Sequence, residues 1–149
     1  MTPDIELERF LKRYEPEVAD TGRQVLARML ARVPGANVLV YDNYNALAMA
    51  LAPTERSSDA VFSIAVYPRW VSLFFANASR LPDPDHALEG NGKKMKHVKL
   101  RSLADWEAAP VQRLIDAALA QAPKPFTSAG KIVLKSIAQK QRPRRPVAE

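Results

Sequence analysis

Residues 61–76 read Val-Phe-Ser-Ile-Ala-Val-Tyr-Pro-Arg-Trp-Val-Ser-Leu-Phe-Phe-Ala, and no other stretch narrows the fold as much. Two runs of period-two alternation flank a two-residue connection, Pro68-Arg69, which is the spacing of an antiparallel hairpin. Setting Tyr67 opposite Trp70 fixes the register. One face then carries Val66–Val71, Ile64–Leu73 and Phe62–Phe75, a ladder of large apolar pairs that has to be buried. The other carries Tyr67–Trp70, Ala65–Ser72 and Ser63–Phe74, a smaller and mixed set. A chain with this hairpin needs a second apolar layer to cover the first face.

Helical segments on either side of the strands can supply that layer. Ile5, Phe10, Leu11 and Tyr14 suggest a short amphipathic helix. Pro16 suits the first position of a second one, in which Val18, Gly22, Val25, Leu26, Met29 and Val33 recur at spacings of three and four. Pro34-Gly35 stops it. Pro110 opens a further helix with Val111, Leu114, Ile115, Ala118 and Leu119 on one stripe, and Pro123 and Pro125 close it. Between these helices, strands are predicted over 38–41, 46–52, 61–67, 70–76 and 95–101, with Leu47, Met49 and Leu51 alternating against alanines. One helical turn is expected over 85–89. The order predicts an α+β fold: an N-terminal helix, a roughly five-stranded antiparallel sheet covered on one face, a C-terminal helix and a basic tail. The domain is expected to span 1–122. The tail, 123–149, is expected to be partly disordered, with the run Gln141-Arg142-Pro143-Arg144-Arg145-Pro146 too polar to pack.

The net charge of +6 is local rather than general. Residues 90–101 hold five bases and no acid, and residues 123–149 hold seven bases against one acid. Lys93, Lys94, Lys96, His97, Lys99 and Arg101, with Arg142, Arg144 and Arg145, are therefore a candidate basic patch. Such a patch suits a nucleic acid or a protein partner, and its bland alternative is a solubilising terminus. Tyr67, Trp70 and Phe74, on the smaller hairpin face, are a candidate ligand platform; the alternative is that helices cover that face and the aromatics are core. The absence of cysteine excludes disulfides, thiolate metal sites and cysteine nucleophiles. No stretch is apolar for long enough to span a bilayer, and the start lacks a signal-peptide core, so a cytoplasmic location is expected.

Three louder motifs reduce to simpler ones. Gly90-Asn91-Gly92-Lys93-Lys94 has the wrong spacing for a phosphate loop and precedes a strand, so it reads as a turn. Asp83, Asp85, His86 and Glu89 could ligate a metal, but nothing fixes that loop, and no metal site or cofactor is expected. His97 has no nucleophile placed beside it, so no catalytic residue is assigned.

The helix opening Tyr14-Glu15-Pro16-Glu17-Val18, the strand pair around Pro68-Arg69-Trp70 and the run Leu88-Glu89-Gly90-Asn91-Gly92-Lys93 resemble the YdhG-like family of bacterial domains of unknown function, from about Phe10 to Ala122. The resemblance implies a two-layer sandwich similar to frataxins. The chain is read as a non-catalytic binding module of this kind; the resemblance implies an intracellular iron chaperone as one alternative, and the basic tail offers a second, a nucleic-acid-associated protein acting through it. Frataxin-type iron binding uses an acidic ridge on the first helix and strand. Here Asp4, Glu6, Glu8, Glu15, Glu17 and Asp20 are interleaved with Arg9, Lys12, Arg13 and Arg23, and the first strand region offers only Asp42.

Overall fold

The computed structural model describes residues 2–147, so the last two positions of the tail lie outside it. The chain runs α1 (Pro3–Leu11), α2 (Pro16–Arg32), β1 (Asn37–Asp42), β2 (Leu47–Ala52), β3 (Phe62–Val66), β4 (Val71–Phe75), β5 (Lys96–Leu100), α3 (Leu103–Glu107), α4 (Ala109–Gln121) and β6 (Ile132–Ile137). The strands form one sheet in the order β5-β4-β3-β2-β1-β6.

The β3–β4 hairpin has the register its side chains dictate: Phe62 faces Phe75, Ile64 faces Leu73 and Val66 faces Val71. Proline opens α1, α2 and α4 near their first turns. All five expected strands are present and antiparallel to their sequence neighbours.

Two expectations need correction. The sheet has six strands and is mixed, because β6 pairs parallel with β1, Val38 beside Ile132 and Leu39 beside Val133. A five-stranded sheet would leave the apolar β1 as a bare edge, and the apolar segment of the tail satisfies it. The C-terminal helix, α4, is accordingly not the last element, and a short helix, α3, precedes it. No helical turn forms at 85–89. His86 adopts a left-handed φ of 51°, and Glu89 exchanges backbone hydrogen bonds with His97 at the β5 edge.

All four helices contribute buried residues to one core with Leu47, Met49, Leu51, Phe62, Ile64, Leu73 and Leu100. These strand residues alternate onto one face. The helices therefore pack against that face, and the opposite face carries a separate small cluster of Leu39, Ala50 and Ala52 without a helix residue. Gly22 marks the closest approach of α2 to the sheet: a Cβ there would lie 3.2 Å from a Val66 methyl.

Tyr14, in the break between α1 and α2, ties this layer to the sheet. Its hydroxyl donates to the Val66 carbonyl at 2.8 Å and accepts from the Leu47 N–H at 3.0 Å. Burial pushes the phenol up to about 12. The unfolded phenol titrates near pH 10, so the folded state keeps the proton longer. Stability from this group is complete below about pH 10 and falls as pH rises to about 12. Burial raises the Tyr67 phenol as well, adding to the same fall. Tyr14→Phe is expected to cost about 1–3 kcal/mol at neutral pH, because the Leu47 amide loses its partner. Denaturant midpoints for this variant should also drop less than the parent's between about pH 9 and about pH 11.5; equal drops would show that Tyr14 does not carry the alkaline loss.

Candidate ligand site on the uncovered sheet face

The face without helices displays Tyr41 from β1, Ala48 and Ala50 from β2, Ser63 and Ala65 from β3, Ser72 and Phe74 from β4, and His97 and Lys99 from β5. Small residues lie at its centre, with Ala50, Ala65 and Ser72 buried, and aromatics lie at its margins. No strand residue on this face is acidic.

The three platform residues lie on this face or at its edge, each half-buried, so helices do not cover them. Trp70 is not an open platform, however. Its ring stacks on Tyr67 with centroids 5.0 Å apart and planes 22° from parallel. Lys99 places its ammonium 4.7 Å from the indole centroid, and the indole N–H donates to Ser72 Oγ at 3.0 Å. Because β4 lies between β3 and β5, tyrosine and lysine approach the indole from opposite sides and hold it between them. Phe74 instead meets the His97 ring at 4.9 Å.

The candidate basic patch does not form one surface. Lys93 and Lys94 sit at the Phe75 end of the sheet, where the Lys94 carbonyl accepts from the Ala78 N–H. Arg142 and Arg145 sit at the other end, about 17 Å away for five strand residues. Lys96 falls in line with Phe75, Val98 and Leu100 on the helix side. Arg101 borders a cleft on the α2 side, with Glu17, Thr21, Arg69 and Trp70.

Arg144 leaves the patch altogether, and with it the expectation that this run cannot pack. Its guanidinium is 3% exposed and bonds Asp42, itself 1% exposed, at 2.9 Å, together with the Asn43 and Tyr44 carbonyls. It also lies 5.9 Å from the Tyr14 ring centroid. Asp42 receives further bonds from Arg13 and Gln141. A buried arginine demands such a set of acceptors, and the β1–β2 turn supplies it for the two terminal nitrogens, while Nε is left without a partner.

Docked in this way, the tail carries Arg142 and Arg145 to the hairpin end. A cleft of about 560 Å³ opens there, lined by Asn45, Tyr67, Arg69, Trp70, Arg142 and Arg145. Arg142 stands 5.6 Å from the Tyr44 ring, and Arg145 donates to the Arg13 carbonyl and lies 3.8 Å from Glu15. At the opposite end of the same face, a second concavity of about 450 Å³ is bordered by Tyr41, Ala50, Ser57, Ser63, Asn77 and Lys94. Arg69, Asn45 and Tyr41 were not among the residues singled out by sequence. Arg69 could have been, since it is the turn residue next to Trp70.

The acids that an iron site would draw on are largely engaged by arginines. Glu8 and Asp20 both bond Arg23, Glu6 bonds Arg9, and Asp42 bonds Arg144. Among the described residues no cluster of three or more His, Cys, Asp or Glu is arranged to hold a metal ion, and no helix is long and apolar enough to cross a membrane. Comparison of the chain with protein-family models, with curated proteins and with solved structures finds no match.

Proposed function

We propose that the chain is a cytoplasmic, non-catalytic binding module that seats an anionic, ring-bearing ligand in the cleft between Tyr67 and the docked tail. On this reading it is of the YdhG-like kind that its helix opening, hairpin and glycine–lysine run resemble, with the two-layer, frataxin-like arrangement that resemblance implies. The observation that carries the reading is the convergence of Arg69, Arg142 and Arg145 on one cleft lined by the stacked rings of Tyr67 and Trp70. Tyr67 has one face against Trp70 and offers the other to a planar group, while guanidinium forks pair with phosphate or carboxylate oxygens. Arginine remains charged at any physiological pH, so these groups hold a ligand rather than exchange protons with it. The iron-chaperone alternative has no comparable support, since Glu6, Glu8, Glu15 and Asp20 each face an arginine.

Adenosine monophosphate is a suitable probe, followed by tryptophan fluorescence; Trp106 is buried against Met29, so Trp70 is the reporter near the cleft. Saturable binding is expected, tighter than for adenosine or inorganic phosphate alone. Tyr67→Ala should weaken it about fivefold or more, from a stacking contribution of about 1–3 kcal/mol, with the melting temperature little changed. No saturation up to about millimolar concentration would overturn the reading.

A further inference from the structure

The two concavities lie at the ends of one continuous strip of sheet, and their contents are alike. Arg142 and Arg145 stand at the hairpin end and Lys94 at the other, with Lys99 between them beside Trp70. The strip between is floored by the paired small residues Ala48–Ala65 and Ala50–Ser63. It is walled by Tyr67, Trp70 and Phe74 on the β3–β4 side and by Tyr41 on the β1 side, where the tyrosine hydroxyl contacts Ser57. A mononucleotide would use only one end. An occupant that matches the whole strip has negative charge at intervals over about 17 Å and flat apolar groups in between.

We infer that this face binds single-stranded nucleic acid, its phosphates held by Arg142, Arg145, Lys99 and Lys94 and its bases lying over the small-residue floor against Tyr67, Phe74 and Tyr41. The inference rests on the cleft reading above and extends it from one ring and one anion to a strand. A single strand laid along the strip would place about three or four phosphates on its cations. Duplex is a poor fit, because its bases are stacked on each other and turned inward, so only phosphates would meet the aromatic wall. The strip carries no recognition helix and few amide groups, so the binding is tolerant of sequence. The small-residue floor carries no carboxylate, and at the hairpin end Glu15 stands 3.8 Å from Arg145. Glu89 lies beyond the β5 edge opposite His97, and Asp59 is bonded to Thr54 and Lys124. The location also differs from a tail acting by itself, since Arg144 is committed to Asp42.

The test is fluorescence anisotropy of a labelled oligothymidylate of about ten nucleotides with the full chain, in parallel with the adenosine monophosphate titration. The oligonucleotide should bind about tenfold or more tighter than the mononucleotide. Neutralising three or four phosphates predicts a log–log salt slope of about −2 to −3, at about −0.7 for each phosphate of a single strand. Lys94→Ala, at the far end, is exposed and should leave the melting temperature and mononucleotide affinity unchanged while flattening the oligonucleotide slope by about 0.7. An oligonucleotide that binds no tighter than the mononucleotide, or that is indifferent to Lys94, overturns the strand inference and leaves the cleft reading standing. Equal affinity for duplex overturns it too, as does a dimer in light scattering that Phe74→Arg dissolves, which would make the strip a self-association face. Mononucleotide and oligonucleotide binding that Tyr67→Ala leaves unchanged overturns the cleft reading and, with it, the strand inference.

Discussion

Replacing Arg144 by alanine is expected to destabilise the protein by about 3 kcal/mol, although only five residues follow it in the sequence. The substitution leaves Asp42 buried with its strongest partner gone. Arg13, at 3.4 Å, and Gln141, at 2.9 Å, remain to share the carboxylate, which places the effect at the low end of the range for a broken buried pair. The Asn43 and Tyr44 carbonyls lose a donor at the same time. Removing both charges should be milder than removing one, so Asp42→Asn combined with Arg144→Met is expected to cost less than Arg144→Ala alone. The same single change frees Arg142 and Arg145 from the cleft, so ligand affinity should fall with stability. Denaturant unfolding monitored at both tryptophans measures the first effect. An unchanged midpoint would mean that the tail is not anchored by this pair.

Leu73→Ala is expected to cost about 2–5 kcal/mol, the cost of a large cavity in a core that cannot collapse around it. Leu73 has no exposed surface and stands between Ile64 on β3 and Val98 on β5, with helices above. Rigid strands on both sides favour the upper half of that range. Thermal melting of the variant checks it, and a melting temperature equal to the parent's would mean that the apolar ladder does not face the helices. The contrast is with Phe74, the next residue on the other face, where truncation removes only half-buried surface.

The hairpin was legible because two short-range signals agree: a period of two on each strand and a two-residue turn that allows one register. The break between α1 and α2 was legible for a similar reason, since Pro16 and the acids around it fix a helix start locally. β6 was not legible as a sheet strand. Ile132, Val133, Leu134 and Ile137 are apolar, but the parallel partner lies more than ninety residues away, at Val38 opposite Ile132, and no local pattern names it. Arg144 was misleading for a different reason. An arginine between prolines reads as solvated unless a buried acceptor is known, and Asp42 looks in sequence like an ordinary turn aspartate. The platform triad was visible from the hairpin alone. That Lys99 closes one face of Trp70 was not, since it depends on β5 lying beside β4.

Parallel pairing of β6 with β1 also has a colloidal consequence. The segment Asn37-Val38-Leu39-Val40-Tyr41 is β-prone, nearly uncharged and free of proline, the composition that templates cross-chain β-stacking when its hydrogen-bonding edge is bare. In the folded chain that edge is never offered to another molecule, because Ile132–Ile137 occupies it. The new outermost strand is a poorer template. Its pairing is irregular near Tyr41, it contains Lys135, and Lys131 and Lys140 flank it. The sheet has thus exchanged a sticky margin for one guarded by lysines, and molecules that lose their last twenty or so residues would become seeds for aggregation before they became unfolded.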